Sequence, residues 1–246
     1  LKVAAVQFKP DKGDGSGSLR RLCALAEQAA GEADLVVLPE MAVTGYVFAG
    51  PEDVAPVAEA ADGPTFQVLS GVAARNACWI VVGLPERAPD GRLFNSALVI
   101  DASGELAFTY RKTLLYDDDL PWACAGDSGY EVFDTGHPGG RFTVGICMDL
   151  NDDGFVDWCT REDIRSVAFP TNWVDEGHRV WGYWAWRMRD TGAALVAANT
   201  YGPEAHTAFT GESAIIDGRV VLSAAPKNGD GFIVAELEPV QSPDVG

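Results

Sequence analysis

Positive charge is scarce in this chain. Only 18 Lys and Arg stand against 36 Asp and Glu, a formal net charge of -18 at pH 7. Phosphate backbones and anionic headgroups are held by clustered Lys and Arg, so nucleic acid and membrane surfaces are not expected as partners. Histidine is scarcer still. His137, His178 and His206 lie far apart and without the spacing of a metal site. The five cysteines (Cys23, Cys78, Cys124, Cys147 and Cys159) are scattered, odd in number and never in a Cys-x-x-Cys pair. That pattern argues against a disulfide framework and against structural zinc. No apolar run is long and charge-free enough to cross a bilayer. Leu1–Val6 carry a strand pattern rather than that of a secretion signal, and a reducing cytoplasm is the expectation.

Apolar content is ample. With 246 residues, 47% of them hydrophobic, the chain can bury a large core, and one domain over 1–246 is the simplest reading. The tail Pro239–Gly246 is expected to fray. Strand and helix patterns alternate along the chain. Lys2–Phe8 reads as a first strand, and Ser18 can cap a helix over about 19–31. Leu35–Leu38 is a continuous apolar run, typical of a strand covered on both faces. A helix from Pro64 to Asn76 follows, then a strand at Trp79–Leu84. The turn Asp90-Gly91 joins that strand to Leu93–Ile100, and Glu105–Tyr110 is a further strand. Past a polar loop at 116–130 the pattern repeats: the strand ending at Cys147, a helix over Asp153–Glu162, a strand at Ser166–Phe169, a Trp-rich helix over about His178–Thr191, and a strand at Leu195–Asn199. Strand-turn-strand patterns close the chain. Two similar α/β halves, with sheets face to face and helices outside, would explain this order.

Three strands end in reactive groups: Leu38-Pro39-Glu40, Tyr110-Arg111-Lys112 and Gly145-Ile146-Cys147. Sites in layered α/β folds gather where strand ends meet. Cys147 precedes the turn residues Asn151-Asp152-Asp153-Gly154 and can present its sulfur at a sheet rim; equally, it can be buried filler. A thiol needs a base, and Glu40, preceded by apolar residues, suits that role if its pKa is raised. The alternative is a solvated loop carboxylate. Lys112 and the Met148 N–H could stabilise an oxyanion. Otherwise Lys112 is a surface charge or pairs with one of Asp117, Asp118 and Asp119.

These motifs together resemble the carbon–nitrogen hydrolase, or nitrilase, superfamily. Leu38-Pro39-Glu40 with Thr44-Gly45-Tyr46 is similar to its glutamate motif, Tyr110–Tyr116 to its lysine motif and Gly145–Asp149 to its cysteine motif. Phe94–Ala97, Ala198-Asn199 and Gly211–Ser213 resemble its flanking stretches. The resemblance implies an α/β fold, a four-layer α-β-β-α sandwich. It also implies Glu40 as general base, Lys112 as stabiliser of the tetrahedral intermediate and Cys147 as nucleophile, with no metal or organic cofactor. The expected activity is hydrolysis of a terminal carboxamide through a cysteine thioester, releasing ammonia.

The string from Gly145 to Asn151 resembles the branch of protein N-terminal amidases, which deamidate N-terminal Asn or Gln. Asp152-Asp153 departs from the Pro-Tyr of that branch. Asn151 stands where many members carry an arginine for a substrate carboxylate. The acidic loop Tyr116–Trp122 also resembles this branch, and an acidic pocket near Asp117–Asp119 or Asp149 could hold a substrate α-ammonium. Met148, Asp149, Asn151, Trp122, Asn172 and Trp173 are the expected substrate-binding residues. The expected partner is a small-molecule amide or a peptide N-terminus. An apolar face at Phe155, Val156 and Trp158 suggests a homodimer. Alternatives are a nitrilase or N-carbamoyl-amide hydrolase and, outside enzymes, a catalytically silent binding module.

Overall fold

The computed structural model describes residues 1–238; the tail expected to fray, 239–246, lies outside the described residues. Its first half begins with three parallel strands, β1 (Lys2–Gln7), β2 (Leu35–Val37) and β3 (Trp79–Arg87). They are joined by α1 (Gly15–Ala30) and by α2 (Pro51–Val54) with α3 (Pro64–Asn76). β4 (Leu93–Ile100) and β5 (Leu106–Arg111) add antiparallel neighbours.

The second half repeats this wiring. The short β6 (Phe133–Asp134) lies antiparallel on β7 (Arg141–Val144), and a 3₁₀ turn over Cys147–Asn151 leads into α4 (Asp153–Arg161). β8 (Ser166–Thr171), α5 (Trp181–Met188) and β9 (Ala194–Asn199) follow, with β7, β8 and β9 parallel. A separate hairpin of β10 (Tyr201–Glu204) and β11 (Thr207–Thr210) precedes β12 (Ala214–Asp217) and β13 (Val220–Ala224). β14 (Gly231–Glu236) returns to pair with β1. The two sheets run β14-β1-β2-β3-β4-β5 and β13-β12-β9-β8-β7-β6. Thus β1 to β5 correspond in order to β7, β8, β9, β12 and β13, each sheet having one extra strand beside its first.

Period-two alternation assigns the faces. Ala4, Val6, Val36, Ile80 and Val82 pack under α1 and α3 with Leu22, Ala26, Leu69 and Val72. Their sequence neighbours Val3, Ala5, Leu35, Val37 and Val81 meet Phe142, Val144, Ala168 and Val196 of the other sheet. On that sheet's far side Val167, Phe169, Leu195 and Ala197 pack against Phe155, Trp184 and Met188 of α4 and α5. The result is the expected four-layer α-β-β-α sandwich. Strands covered on both faces read as near-continuous apolar runs for this reason.

Four local expectations are corrected. The first helix starts three residues before Ser18. Asp14 is its cap, accepting from the Gly17 N–H at 2.8 Å, while the Ser18 hydroxyl is engaged by Asp11. The Trp-rich helix is shorter than 178–191, running from Trp181 to Met188, and the segment before it is held by other bonds: Val174 bridges Phe209 and the Asp175 N–H donates to the Ala208 carbonyl. The hairpin β10–β11 that holds this segment was not anticipated. The apolar face expected on α4 turns inward at Phe155, which is fully buried, and Trp158 is half-buried against Tyr130. Large apolar exposure lies instead on Tyr183 and Trp186 of α5 and on Val220–Leu222 of β13.

Candidate active site

Glu40 follows β2 on a loop laid tightly across β3. The Ala42 N–H donates to the Gly83 carbonyl, and the Gly83 N–H to the Pro39 carbonyl. A Cβ on Gly83 would stand 2.5 Å from the Glu40 Cα, so only glycine admits this approach. The carboxylate is buried and accepts three hydrogen bonds. Oε1 takes Lys112 Nζ at 2.8 Å and Asn95 Nδ2 at 2.7 Å; Oε2 takes the Asn172 backbone N–H at 2.7 Å. Burial raises the Glu40 pKa above its ordinary value; Lys112 opposes this and Asp119 adds to it.

Lys112 extends the last pairing of β5, its N–H donating to the Asn95 carbonyl of β4. Strand alternation sends Arg111 outward to Glu86 and Asp127 and Lys112 inward. The ammonium is fully buried between Glu40 and Asp119, 2.6 Å from Asp119 Oδ2. Burial works against its charge, but Glu40, Tyr46 and Asp119 together hold its pKa well above the usual lysine range. Two of its three protons are committed to carboxylates, which leaves one for a ligand oxygen. Asp119 also accepts from Asn95 Nδ2 at 3.0 Å and from the Tyr116 N–H at 2.9 Å. A buried ammonium is tolerable only when paired and hydrogen-bonded in this way. Of the sequence alternatives for Lys112, the surface charge is overturned by its complete burial and the ion pair within Asp117–Asp119 is found, at Asp119; the pair with Glu40 was not anticipated.

Cys147 begins the 3₁₀ turn three residues beyond the end of β7, at φ +44, in the left-handed region that non-glycine residues rarely occupy. The thiol is buried, and burial, then Glu40, pushes its pKa up to about 12, opposed by Lys112 and the Thr171 hydroxyl. The first N–H groups of such a turn, Met148 included, lack acceptors within it and face outward from the strand end. Asp149 locks the turn. Its Oδ2 accepts from the Ile146 N–H and the Tyr110 hydroxyl, and its Oδ1 from the N–H groups of Thr113 and Leu114, all at 2.8–3.0 Å. One carboxylate thus ties the strand end before Cys147 to the segment that surrounds Lys112.

Cys147 sits in a cleft of about 120 Å³ lined by Tyr116, Met148, Asn151, Asn172, Trp173, Val174 and Glu176. The structure brings Glu40, Lys112, Cys147, Met148, Asn151, Asn172 and Trp173 to this one region. Asn151 is oriented by the Tyr183 hydroxyl, which donates to its Oδ1, and Trp173 by its N–H bond to Asn199 Oδ1. Two expected substrate-binding residues lie elsewhere. Asp149 is fully buried, and its four donors leave no room for a substrate. Trp122 is buried and does not itself line the cleft; it packs edge-on to Phe48 in an apolar cluster that reaches the cleft only through Tyr116 and Val174. Of the acidic loop, Asp119 is spent on Lys112 and Asp118 meets His206 at 3.1 Å. Sequence reasoning missed the bridging role of Asn95, which lay unremarked inside a flanking motif, the place in the cleft of Tyr116, which was quoted only as part of the lysine motif and the acidic loop, and Glu176, which carries no local pattern. Among the described residues no group of three or more His, Cys, Asp and Glu is arranged to hold a metal, and no helix is long and apolar enough to cross a membrane.

Comparison with known proteins places this geometry in context. The family described as carbon–nitrogen hydrolase matches residues 2–242. A protein N-terminal amidase of Saccharomyces cerevisiae is 28% identical over 206 residues; the match covers 71% of this chain but 45% of that protein, so the chain spans less than half its length. A nitrilase of Pyrococcus abyssi is 31% identical over 97% of this chain and 90% of its own length. A crystal structure of an N-terminal amidase with an Asn-Glu-Ala peptide superposes with a TM-score of 0.82 at 19% identity, covering 96% of this chain and 97% of the other. That likeness is one of fold.

Proposed function

The chain belongs to the carbon–nitrogen hydrolase family, and on that premise we propose that it is an amidase with Glu40, Lys112 and Cys147 as its triad, deamidating N-terminal Asn or Gln. The observation that carries the reading is the dry Glu40–Lys112 pair, 2.8 Å apart, beside a thiol at the floor of a cleft.

Glu40 takes the thiol proton as Cys147 Sγ attacks the carboxamide carbon. The thiol is neutral at rest, so attack and proton transfer occur together rather than from a stored thiolate. The oxyanion receives the third proton of Lys112 and the Met148 N–H as hydrogen bonds. Glu40 then gives its proton to the leaving nitrogen, ammonia departs and a thioester remains. Water enters, loses a proton to Glu40 and attacks the thioester. The tetrahedral adduct collapses, the thiol recovers the proton and the carboxylic acid leaves. Asp119 and Asn95 take no proton; they hold Lys112 and Glu40 in register.

The substrate reading is supported by the N-terminal amidases among the similar proteins. Nitrile hydrolysis is a second reading, favoured by the archaeal relative. Ammonia release from N-terminal Asn and Gln peptides, aliphatic amides, nitriles and carbamoyl amino acids, with Cys147→Ala as control, separates them. Release confined to nitriles, or to simple amides, would discard the peptide assignment. No cysteine-dependent release from any of them would favour the silent binding module.

A further inference from the structure

The cleft is built asymmetrically. At its floor Cys147 and Asn172 are 6% and 3% exposed; at its mouth Glu176 is 68% exposed at the side chain, beside half-buried Tyr116 and Trp173. Asn172 is peculiar among the polar floor residues. Its backbone N–H is committed to Glu40, but its side-chain Oδ1 is buried without a hydrogen-bond partner among the described residues. A buried acceptor without a donor is costly, and a ligand that brings an N–H relieves the cost.

We propose, resting on the N-terminal amidase reading, that the substrate α-ammonium is held between Asn172 Oδ1 and the Glu176 carboxylate, and that Glu176 is the residue selecting a free N-terminus. The covalent geometry of the substrate requires an acceptor in this part of the cleft. In an N-terminal asparagine three bonds separate the carboxamide carbon from the ammonium nitrogen, a span of about 3–4 Å, and one further bond serves glutamine. With the carboxamide on Cys147, the peptide must leave through the mouth, and the ammonium lies on that path. The charges there suit a cation. Asp117, Asp118 and Glu176 all lie near enough to Tyr116 to raise its pKa, after burial. The nearby bases leave the field negative: His178 stands 3.8 Å from Glu176, His206 pairs with Asp118, and Lys227 is bound to Asp175. The rings of Trp173 and Tyr116 add faces that favour a cation. Glu176 is a substrate-specificity residue and takes part in no proton transfer.

The test compares wild type with Glu176→Gln on three substrates: a peptide with N-terminal Asn, the same peptide with its α-amine acetylated, and its des-amino succinamoyl analogue. The wild type is expected to favour the free amine, because a site shaped for a hydrogen-bonding group rejects analogues that lack it. Glu176→Gln is expected to raise KM for the free-amine peptide about tenfold with kcat nearly unchanged, as for loss of one charge-assisted hydrogen bond. The variant should treat the succinamoyl peptide as the wild type does. Its KM for the free amine should also lose the rise with ionic strength that the wild type shows. An unchanged KM in Glu176→Gln, or a wild type that hydrolyses the succinamoyl peptide equally well, overturns the assignment while leaving the amidase chemistry standing. A wild type inactive on every N-terminal Asn and Gln peptide removes the underlying reading and this proposal with it.

Discussion

The two halves of the molecule share their wiring but treat charge in opposite ways. After the strands of the first half come Glu40, Lys112 and the Asp119 loop, three ionisable groups with almost no exposure and with partners fixed by the protein. At the ends of β7, β8 and β9 in the second half stand Cys147, Asn172 and Asn199, all neutral at rest, with Asn172 after β8 in the place of Glu40 after β2. There only Asn199 is satisfied by the protein, accepting from the Trp173 N–H and donating to the Gly211 carbonyl. Cys147 and Asn172 line the cleft, and the buried Asn172 Oδ1 has no partner among the described residues. The difference follows from cost. A buried charge must be paired before any ligand arrives, whereas a neutral amide or thiol can wait for one. The charged half is preset, and the neutral half is completed by the substrate.

Substitutions can break this division of labour. The largest expected effect is at the nucleophile. Cys147→Ala should lower ammonia release by at least about a thousandfold. It should also abolish the thioester adduct seen by mass spectrometry, while the unfolding midpoint holds. A variant that still turns over would move the nucleophile elsewhere.

Glu40→Gln comes next, with a loss of roughly a hundredfold or more if Glu40 is the general base. Its pH signature is specific. Burial raises the Glu40 pKa, and the base works only when deprotonated. Wild-type kcat/KM should therefore fall as pH drops through a value above the ordinary carboxylate range, and that acid limb should vanish in Glu40→Gln. A wild-type limb at the ordinary value would show that Glu40 is not shifted.

Asp119→Ala probes the preset half through stability. It strands Lys112 with one carboxylate, and breaking a buried pair costs about 3–5 kcal/mol, measurable by urea denaturation. The exposed Arg92–Asp127 pair, 3.0 Å apart, provides the control: Arg92→Ala should leave the urea curve nearly unmoved. Equal effects at the two sites would contradict the account of a charge cluster dependent on every partner.

Gly83→Ala pushes on Glu40 without touching a charge. The added methyl meets the Glu40 backbone at 2.5 Å, and overpacking of this kind costs about 1–3 kcal/mol. Turnover should fall more than stability alone explains, because the base is displaced. The smallest effect is expected at Trp122→Phe. The indole N–H has no partner among the described residues and the ring lies outside the cleft, so KM should not change. A raised KM would return Trp122 to the substrate site.

Much of this was legible along the chain because it is local. Leu35–Leu38 and Trp79–Leu84 are apolar on both faces, and the places where such runs stop mark the strand ends bearing Glu40 and Cys147. Lys112 is legible by the same rule, one step past a strand. The second layer of the site was not. Asp117, Asp118 and Asp119 are equivalent as letters, and only the fold of their loop turns Asp119 to Lys112, Asp118 to His206 and leaves Asp117 exposed. Asp149, two residues from the cysteine, read as a substrate ligand because an acid beside a nucleophile invites that reading; three of its four donors come from 110–114, a stretch far away in sequence.

The sequence by itself determined the layered α/β order and placed Glu40, Lys112 and Cys147 near strand ends, since periodicity and turn chemistry act over a few residues; that the three belong together was implied by the family resemblance. Tertiary structure decided which carboxylate pairs with the lysine, which acid serves as scaffold and which residues line the cleft. Those assignments depend on where loops from opposite sheets meet, and the energy of a buried charge is fixed by neighbours that lie far away in sequence.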